Sequence, residues 1–184
     1  EILTCDWSSD VCSSDLSGVE TRSKVGLRVV VFGDSHGKRM SFNHSYIMAR
    51  LENMDISWVV KSGAKIKYHT GLVNKAQDAD VAVLMCGGND LARSNPSAVC
   101  ADVEEFVTKA KAVGARSVVI MGYFKRKTPG YNEKVQQLQK ALQSLYPASK
   151  QAAEKTRFWL WDRRLPQGTV ADGVHLFSSG YRKA

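Results

Sequence analysis

Ser35 stands where an apolar run stops, in Leu27-Arg28-Val29-Val30-Val31-Phe32-Gly33-Asp34-Ser35. A serine hydroxyl is a weak nucleophile until a base takes its proton. His175 could take it. Asp172, three residues earlier, could reach the imidazole Nδ1–H, fix the tautomer and stabilise the imidazolium. Attack on a carbonyl would then create an oxyanion that needs preorganised donors. The backbone N–H groups of Ser35 and Gly63 and the side-chain amide of Asn89 could supply three. Gly63 has no side chain to block a close approach. Gly87 and Gly88 let the chain turn tightly before Asn89. Taken alone, Ser35 is read equally well as the N-cap of the next helix, a position that favours serine.

The elements around these residues decide whether they can meet. Leu27–Gly33 reads as a short, nearly all-apolar strand, the pattern of a buried parallel strand. Residues 36–53 follow with Met40, Ile47, Met48 and Leu51 on a rough helical face. Strands are expected at 56–60, 79–88, 115–123 and 156–162. Between them lie a mixed loop and helix from Lys65, a helix from Asn95 to Gly114, and one from Tyr131 to Tyr146. The last carries Val135, Leu138, Leu142 and Leu145 at helical spacing and is stopped by Pro147. A final helix is expected to begin near Ser178, with Ser178 and Ser179 as its cap. Strands alternating with helices call for a parallel α/β sheet covered on both faces. Ligands bind such sheets beyond the carboxyl ends of the strands. Ser35, Gly63, Asn89 and the Asp172–His175 pair each follow a different strand, so they should share that edge.

Four blocks carry a family resemblance: Gly33-Asp34-Ser35, the lone Gly63, Gly87-Gly88-Asn89-Asp90, and Asp172-Gly173-Val174-His175. In this order the chain from about Leu27 to Tyr181 resembles the SGNH (GDSL-type) hydrolases. The resemblance implies a three-layer α/β/α sandwich, flavodoxin-like, whose five-stranded parallel sheet has the order 2-1-3-4-5. It also implies hydrolysis of an ester without metal or cofactor. Ser35 would be the nucleophile, His175 the base and Asp172 its partner. Ser35, Gly63 and Asn89 would form the oxyanion hole. Two features depart from the pattern. His36 follows the nucleophile where the family usually has an apolar residue, and the Gly63 block lacks its usual neighbours, which leaves Gly71 as the fallback. Gly33-Asp34-Ser35-His36-Gly37 also fits the G-x-S-x-G elbow of α/β-hydrolases. There the serine follows a central strand and the acid lies on a separate loop, unlike Asp172 three residues before His175.

Other residues are read more plainly. His36, His44 and His69 are expected at the surface, without metal-ligand spacing. Cys86 reads as a small buried apolar residue, Asp90 as an anchor for its loop, and Trp159 and Trp161 as core. Lys61, Lys65 and Lys67 follow the second strand, and Lys125, Arg126 and Lys127 the fourth. They are expected to rim the site edge as solvated charges or as a positive field for anionic partners.

The 184 residues, 43% of them hydrophobic, suit one globular domain with a real core. Residues 1–16 carry no Lys or Arg, and Asp6 to Asp15 match a common sequencing adapter in translation. They are expected to be a non-native leader, with 17–26 a linker and 27–184 the domain, its last helix truncated. The leader takes four of the 18 acids, leaving 14 against 26 basic residues, a net charge of +12. Only Cys86 and Cys100 remain beyond it, too few for a disulfide framework and compatible with a reducing, intracellular setting. No apolar run approaches a membrane span. The expected substrate is a small-molecule, carbohydrate or lipid ester, with acetyl or short acyl groups favoured because a short chain leaves little room for a lid. The alternative is an SGNH-like domain of a retroelement-type polyprotein, held to nucleic acid or an anionic surface by its basic face.

Overall fold

Val29 to Phe32 are β-branched or aromatic residues that suit a pleated strand buried on both faces. The computed structural model, which describes residues 26–49, 51, 53–147 and 155–159, places them in β1, Leu27–Gly33. Val30 and Phe32 point into the larger core, while Val29 and Val31 point into a smaller one on the opposite face. Four further strands complete a parallel sheet: β2 (Met54–Val60), β3 (Val81–Met85), β4 (Ser117–Met121) and β5 (Thr156–Trp159). Their order is β2-β1-β3-β4-β5, as the family resemblance implies.

The helices are α1 (Ser35–Ser41), α2 (His44–Met48), α3 (Ile66–Thr70), α4 (Gly88–Leu91), α5 (Pro96–Ala112) and α6 (Tyr131–Leu145). α5 starts cleanly because the Asn95 side chain accepts the Ala98 N–H at 2.8 Å and Pro96 has no N–H that would need an acceptor. Its Val99, Val103, Phe106, Val107 and Ala110 bury one stripe, and Val135, Leu138 and Leu142 of α6 bury another. Both stripes pack on the Val30–Phe32 face with Ile66, Leu84 and Ile120. Met40 of α1 packs on the other face with Val31, Trp58 and Met85. Helices therefore flank the sheet on both sides.

Several expectations are corrected. The single helix over 36–53 is two short ones. Ser41 Oγ donates to the Lys38 carbonyl at 2.8 Å and Asn43 Nδ2 to the Arg39 carbonyl at 3.3 Å. These side chains satisfy carbonyls that a continuing helix would have used. β3 and β4 are shorter than expected, and β2 is longer because Met54 and Asp55 pair with Leu27 and Arg28. Leu145 and Trp159 are exposed, at 49% and 37%, whereas Tyr146 and Phe158 take the core positions beside them. His36 and His69 are buried, not at the surface. His44 is half-buried, its Nδ1 accepting the Trp58 indole N–H at 3.0 Å. The leader and most of the linker (1–25), Trp161 and the final helix lie outside the described residues.

His69 is fully enclosed, with its ring edge-on to Phe32 and Tyr68 at centroid distances of 6.0 and 5.2 Å. Among the described residues neither ring nitrogen has a hydrogen-bond partner. Burial lowers its pKa to about 4. The unfolded chain, with an ordinary histidine near 6.5, therefore binds this proton first. The stability contributed by neutral His69 is complete above pH 6.5 and is lost as pH falls towards about 4. The loss should reach about 3 kcal/mol. Urea unfolding of the wild type and His69→Leu between about pH 4 and 7 checks this. The variant should lack that part of the pH dependence.

Candidate active site

Gly33, the last residue of β1, is level with Val60 of β2 and Met85 of β3. Beyond that line the Lys61 N–H donates to the Gly33 carbonyl at 3.0 Å, and the Asp34 N–H to the Met85 carbonyl at 3.2 Å. Three loops thus leave the sheet side by side. β1 turns at once into α1, and the approach is tight: a Cβ on Gly33 would stand 2.8 Å from the Gly37 Cα.

The cap of α1 is Asp34, not Ser35. Asp34 is buried, and its Oδ1 accepts the His36 N–H at 2.9 Å. Ser35 is the first residue of the helix, in the turn whose N–H groups have no intrahelical carbonyl to reach. It is half-buried. The neighbouring carboxylate takes the capping role, so the Ser35 hydroxyl is not needed for it.

Gly63 lies in a turn closed by the Ala64 N–H donating to the Lys61 carbonyl at 3.1 Å. Its φ of +74° is left-handed, which glycine adopts without strain. The next residue is pinned from two sides. The Ala64 carbonyl accepts Asn89 Nδ2 at 3.2 Å and the Cys86 thiol at 3.3 Å. Asp90, buried beside Asn89, accepts the Ile66 N–H at 3.3 Å. Burial raises the Asp90 pKa, and the Ile66 N–H opposes that shift. Asp90 is thus the loop anchor expected of it. Asn89 Nδ2 also reaches Asp34 Oδ2, at a longer 3.4 Å. Gly87, at φ +128°, gives the chain its bend into α4, and a Cβ there would stand 2.6 Å from the Tyr123 ring.

Together these contacts open a cleft of about 520 Å³ lined by Ser35, Gly63, Asn89 and Ser62, with Lys38, Arg39 and Phe42 along one wall. That volume falls within the range of small-molecule sites. Ser35, Gly63 and Asn89, far apart in sequence, meet here. Gly71 ends α3 and is not in the lining. Asp172 and His175 lie outside the described residues. The expected rim residues are placed differently from one another. Lys61 sits 4.4 Å over the Tyr68 ring, and Lys65 is at the start of α3. Lys67 pairs with Asp102 at 3.6 Å. Lys125 and Lys127 are exposed. Arg126 lies over the Tyr131 ring at 4.7 Å and against Gly88. His36 is 6% exposed and stacks on Phe124 at 4.6 Å. Burial pushes the Cys86 thiol well above its ordinary pKa, so it is a structural donor and not a nucleophile.

The sequence reading missed Lys38, Arg39 and Phe42. The signal was present: they are three, four and seven residues after Ser35, the spacing of one helix face.

Residues 31–183 match the GDSL-like lipase/acylhydrolase family. The chain belongs to that family. This GDSL-like protein is accordingly a hydrolase of ester-acting type. Among curated proteins compared by sequence, none matches. Its fold is similar to solved structures at low identity. One is a lipolytic G-D-S-L family member from Veillonella parvula, with TM-score 0.70, 18% identity, and 84% of this chain and 92% of that one covered. Another is a carbohydrate esterase of family 3 from Talaromyces cellulolyticus, with TM-score 0.65, 14% identity, and 85% and 91% covered. A third is a mutant acetyl esterase with an acetate ion, with TM-score 0.65, 13% identity, and 85% and 91% covered.

Asp34→Ala should remove both the α1 cap and the second acceptor for Asn89. The expected loss is about 1–2 kcal/mol, read as a lower urea midpoint at unchanged slope. Asp34→Ser, which keeps a capping oxygen, should recover part of it.

Proposed function

We propose that this GDSL-like protein hydrolyses carboxylic esters through an acyl intermediate on Ser35. The observation that carries the reading is the cleft that brings Ser35, Gly63 and Asn89 together from three loops. His175 takes the Ser35 proton as Oγ attacks the carbonyl carbon, and Asp172 holds the imidazole and stabilises its charged form. The oxyanion is met by the Ser35 and Gly63 N–H groups and by Asn89 Nδ2. Among the described residues no backbone carbonyl takes the Gly63 N–H. Asn89 is held by its bond to Ala64, and its longer bond to Asp34 yields to the oxyanion. His175 then passes its proton to the departing alcohol. A water activated by the same histidine attacks the acyl carbon and releases Ser35.

Short acyl groups, acetyl among them, are the favoured substrates. Likeness in fold to an acetyl esterase and a carbohydrate esterase supports this preference. No observation among the described residues favours the nucleic-acid reading.

Ser35→Ala should abolish both aryl acetate hydrolysis and labelling by a fluorophosphonate. Labelling that persists in the variant would place the nucleophile elsewhere. Asn89→Ala should lower kcat by roughly 10²–10³ while KM moves little. His175→Ala should reduce kcat at least as much, and a wild-type rate retained in either variant would overturn the role assigned to it.

A further inference from the structure

The Asn89 side chain is tied to Ala64 and Asp34, but the backbone that leads to it is backed by other residues. These come from the loop after β4 and from α6. A Cβ on Gly87 would stand 2.6 Å from the Tyr123 ring. A Cβ on Gly88 would stand 2.8 Å from Arg126 Nη2 and 3.2 Å from the Tyr131 hydroxyl. Each of the two glycines before Asn89 thus leaves a space that a side chain from this second set fills.

The filling side chains are themselves held. The Tyr123 N–H donates to Gln139 Oε1 of α6 at 3.2 Å. Asn132 clamps the Arg126 main chain: its Oδ1 accepts the Arg126 N–H and its Nδ2 donates to the Arg126 carbonyl, both at 2.9 Å. The guanidinium lies over the ring of Tyr131, which is buried. The Tyr131 hydroxyl donates to the Gly88 carbonyl at 3.4 Å. One turn further along α6, Lys134 Nζ donates to the Ser94 carbonyl at 3.1 Å. α6 therefore holds the chain both at the start of α4 and beyond its end. Among the three consecutive basic residues, Lys125 and Lys127 are exposed, whereas Arg126 is half-buried and turned to this junction.

We propose that Arg126 is a positioning residue for ester hydrolysis. Stacked on Tyr131 and clamped by Asn132, it bears on Gly88 and fixes the direction in which Asn89 presents Nδ2 to the oxyanion. The role rests on the esterase reading above, because it acts through Asn89. An oxyanion donor works only at hydrogen-bond distance from the place where the charge forms. A misplacement of about 1 Å set far from the chemistry can cost about 10²-fold in rate. The planar guanidinium suits the task, since it lies flat on a ring in a way that a lysine ammonium does not.

Arg126→Ala should lower kcat for an aryl acetate by about tenfold while KM moves little, a smaller loss than removing Asn89 itself. Arg126→Lys keeps a cation for the Tyr131 ring without the plane, and should recover part of the loss. Gly88→Ala leaves Arg126 in the chain but pushes its guanidinium aside, and should give a loss similar to that of Arg126→Ala. A double-mutant cycle with Asn89→Ala decides between action through Asn89 and a general effect. With Asn89 gone, removing Arg126 should cost no further activity. An equal fold-loss in both backgrounds, a loss carried by KM, or a wild-type kcat in both Arg126→Ala and Gly88→Ala would overturn the proposal. A residue that served stability alone would lower the urea midpoint and leave the kcat of the folded enzyme unchanged.

The side-chain amide signals of Asn89 in a 1H–15N spectrum, identified by their loss in Asn89→Ala, give a readout that needs no turnover. They should shift in Arg126→Ala and return towards the wild-type position in Arg126→Lys. If they shift in this way and the wild type shows no Ser35-dependent hydrolysis, the esterase reading fails and the alignment of Asn89 by Arg126 stands. If Ser35-dependent hydrolysis is present and the signals stay fixed in Arg126→Ala, the positioning role fails and the esterase reading stands.

Discussion

Three parallel strands that stop at one level are the constraint on which the site depends. Gly33 pairs with Val60 on one side and Met85 on the other. Parallel pairing makes the following loops leave in the same direction, and the 2-1-3 order makes them neighbours. A slip of one residue in either pairing would turn every side chain of that strand to the wrong face. The opposite burial of Val30 and Phe32 from Val29 and Val31 opposes such a slip, because both sets are apolar but the cores they enter differ in size and shape.

The loops, once side by side, are fastened by a small number of buried polar groups. Asp34 ties the start of α1 to Asn89, and Asp90 ties α4 to the start of α3. A buried carboxylate is costly unless backbone N–H groups satisfy it. Asp34 has the His36 N–H and Asp90 the Ile66 N–H, so each acid serves as an acceptor for main chain at the start of a helix. These acids act as structure, and the sequence segments they stand in, Gly33-Asp34-Ser35 and Asn89-Asp90, combine a fastening residue with a cleft residue.

Much of this was legible from the chain. Continuous apolar strands, the Asn95-Pro96 start of α5 and the helical spacing of Val135, Leu138 and Leu142 carry their structure in local sequence. The convergence of Ser35, Gly63 and Asn89 followed from the strand order. What was not legible depends on tertiary surroundings. His69 looks polar on paper, yet Phe32 from β1 and the adjacent Tyr68 close over its ring, and Phe106 of α5 backs Phe32. His36 is covered by Phe124 from the loop after β4. Trp159 shows the reverse: an apolar residue at a strand end that nothing among the described residues covers fully. The break between α1 and α2 rests on Ser41 and Asn43 side chains turning back to carbonyls, a choice that periodicity does not encode.

The fastening around Ala64 has a further consequence. Asn89 and Cys86 both donate to a main-chain carbonyl, and Asp90 accepts from a main-chain N–H. On the loop that follows β2, the bonds ask nothing of the side chains at 64 and 66 beyond their fit in the core. All the chemical specificity sits on the loop that follows β3. Tolerance to substitution in this region should therefore be lopsided: apart from Gly63, whose φ favours glycine, the loop after β2 is held only by its fit in the core, while the other is held to its polar residues. A junction built that way can keep its geometry while most of the sequence around it drifts, which suits a fold still superimposable at 13–18% identity.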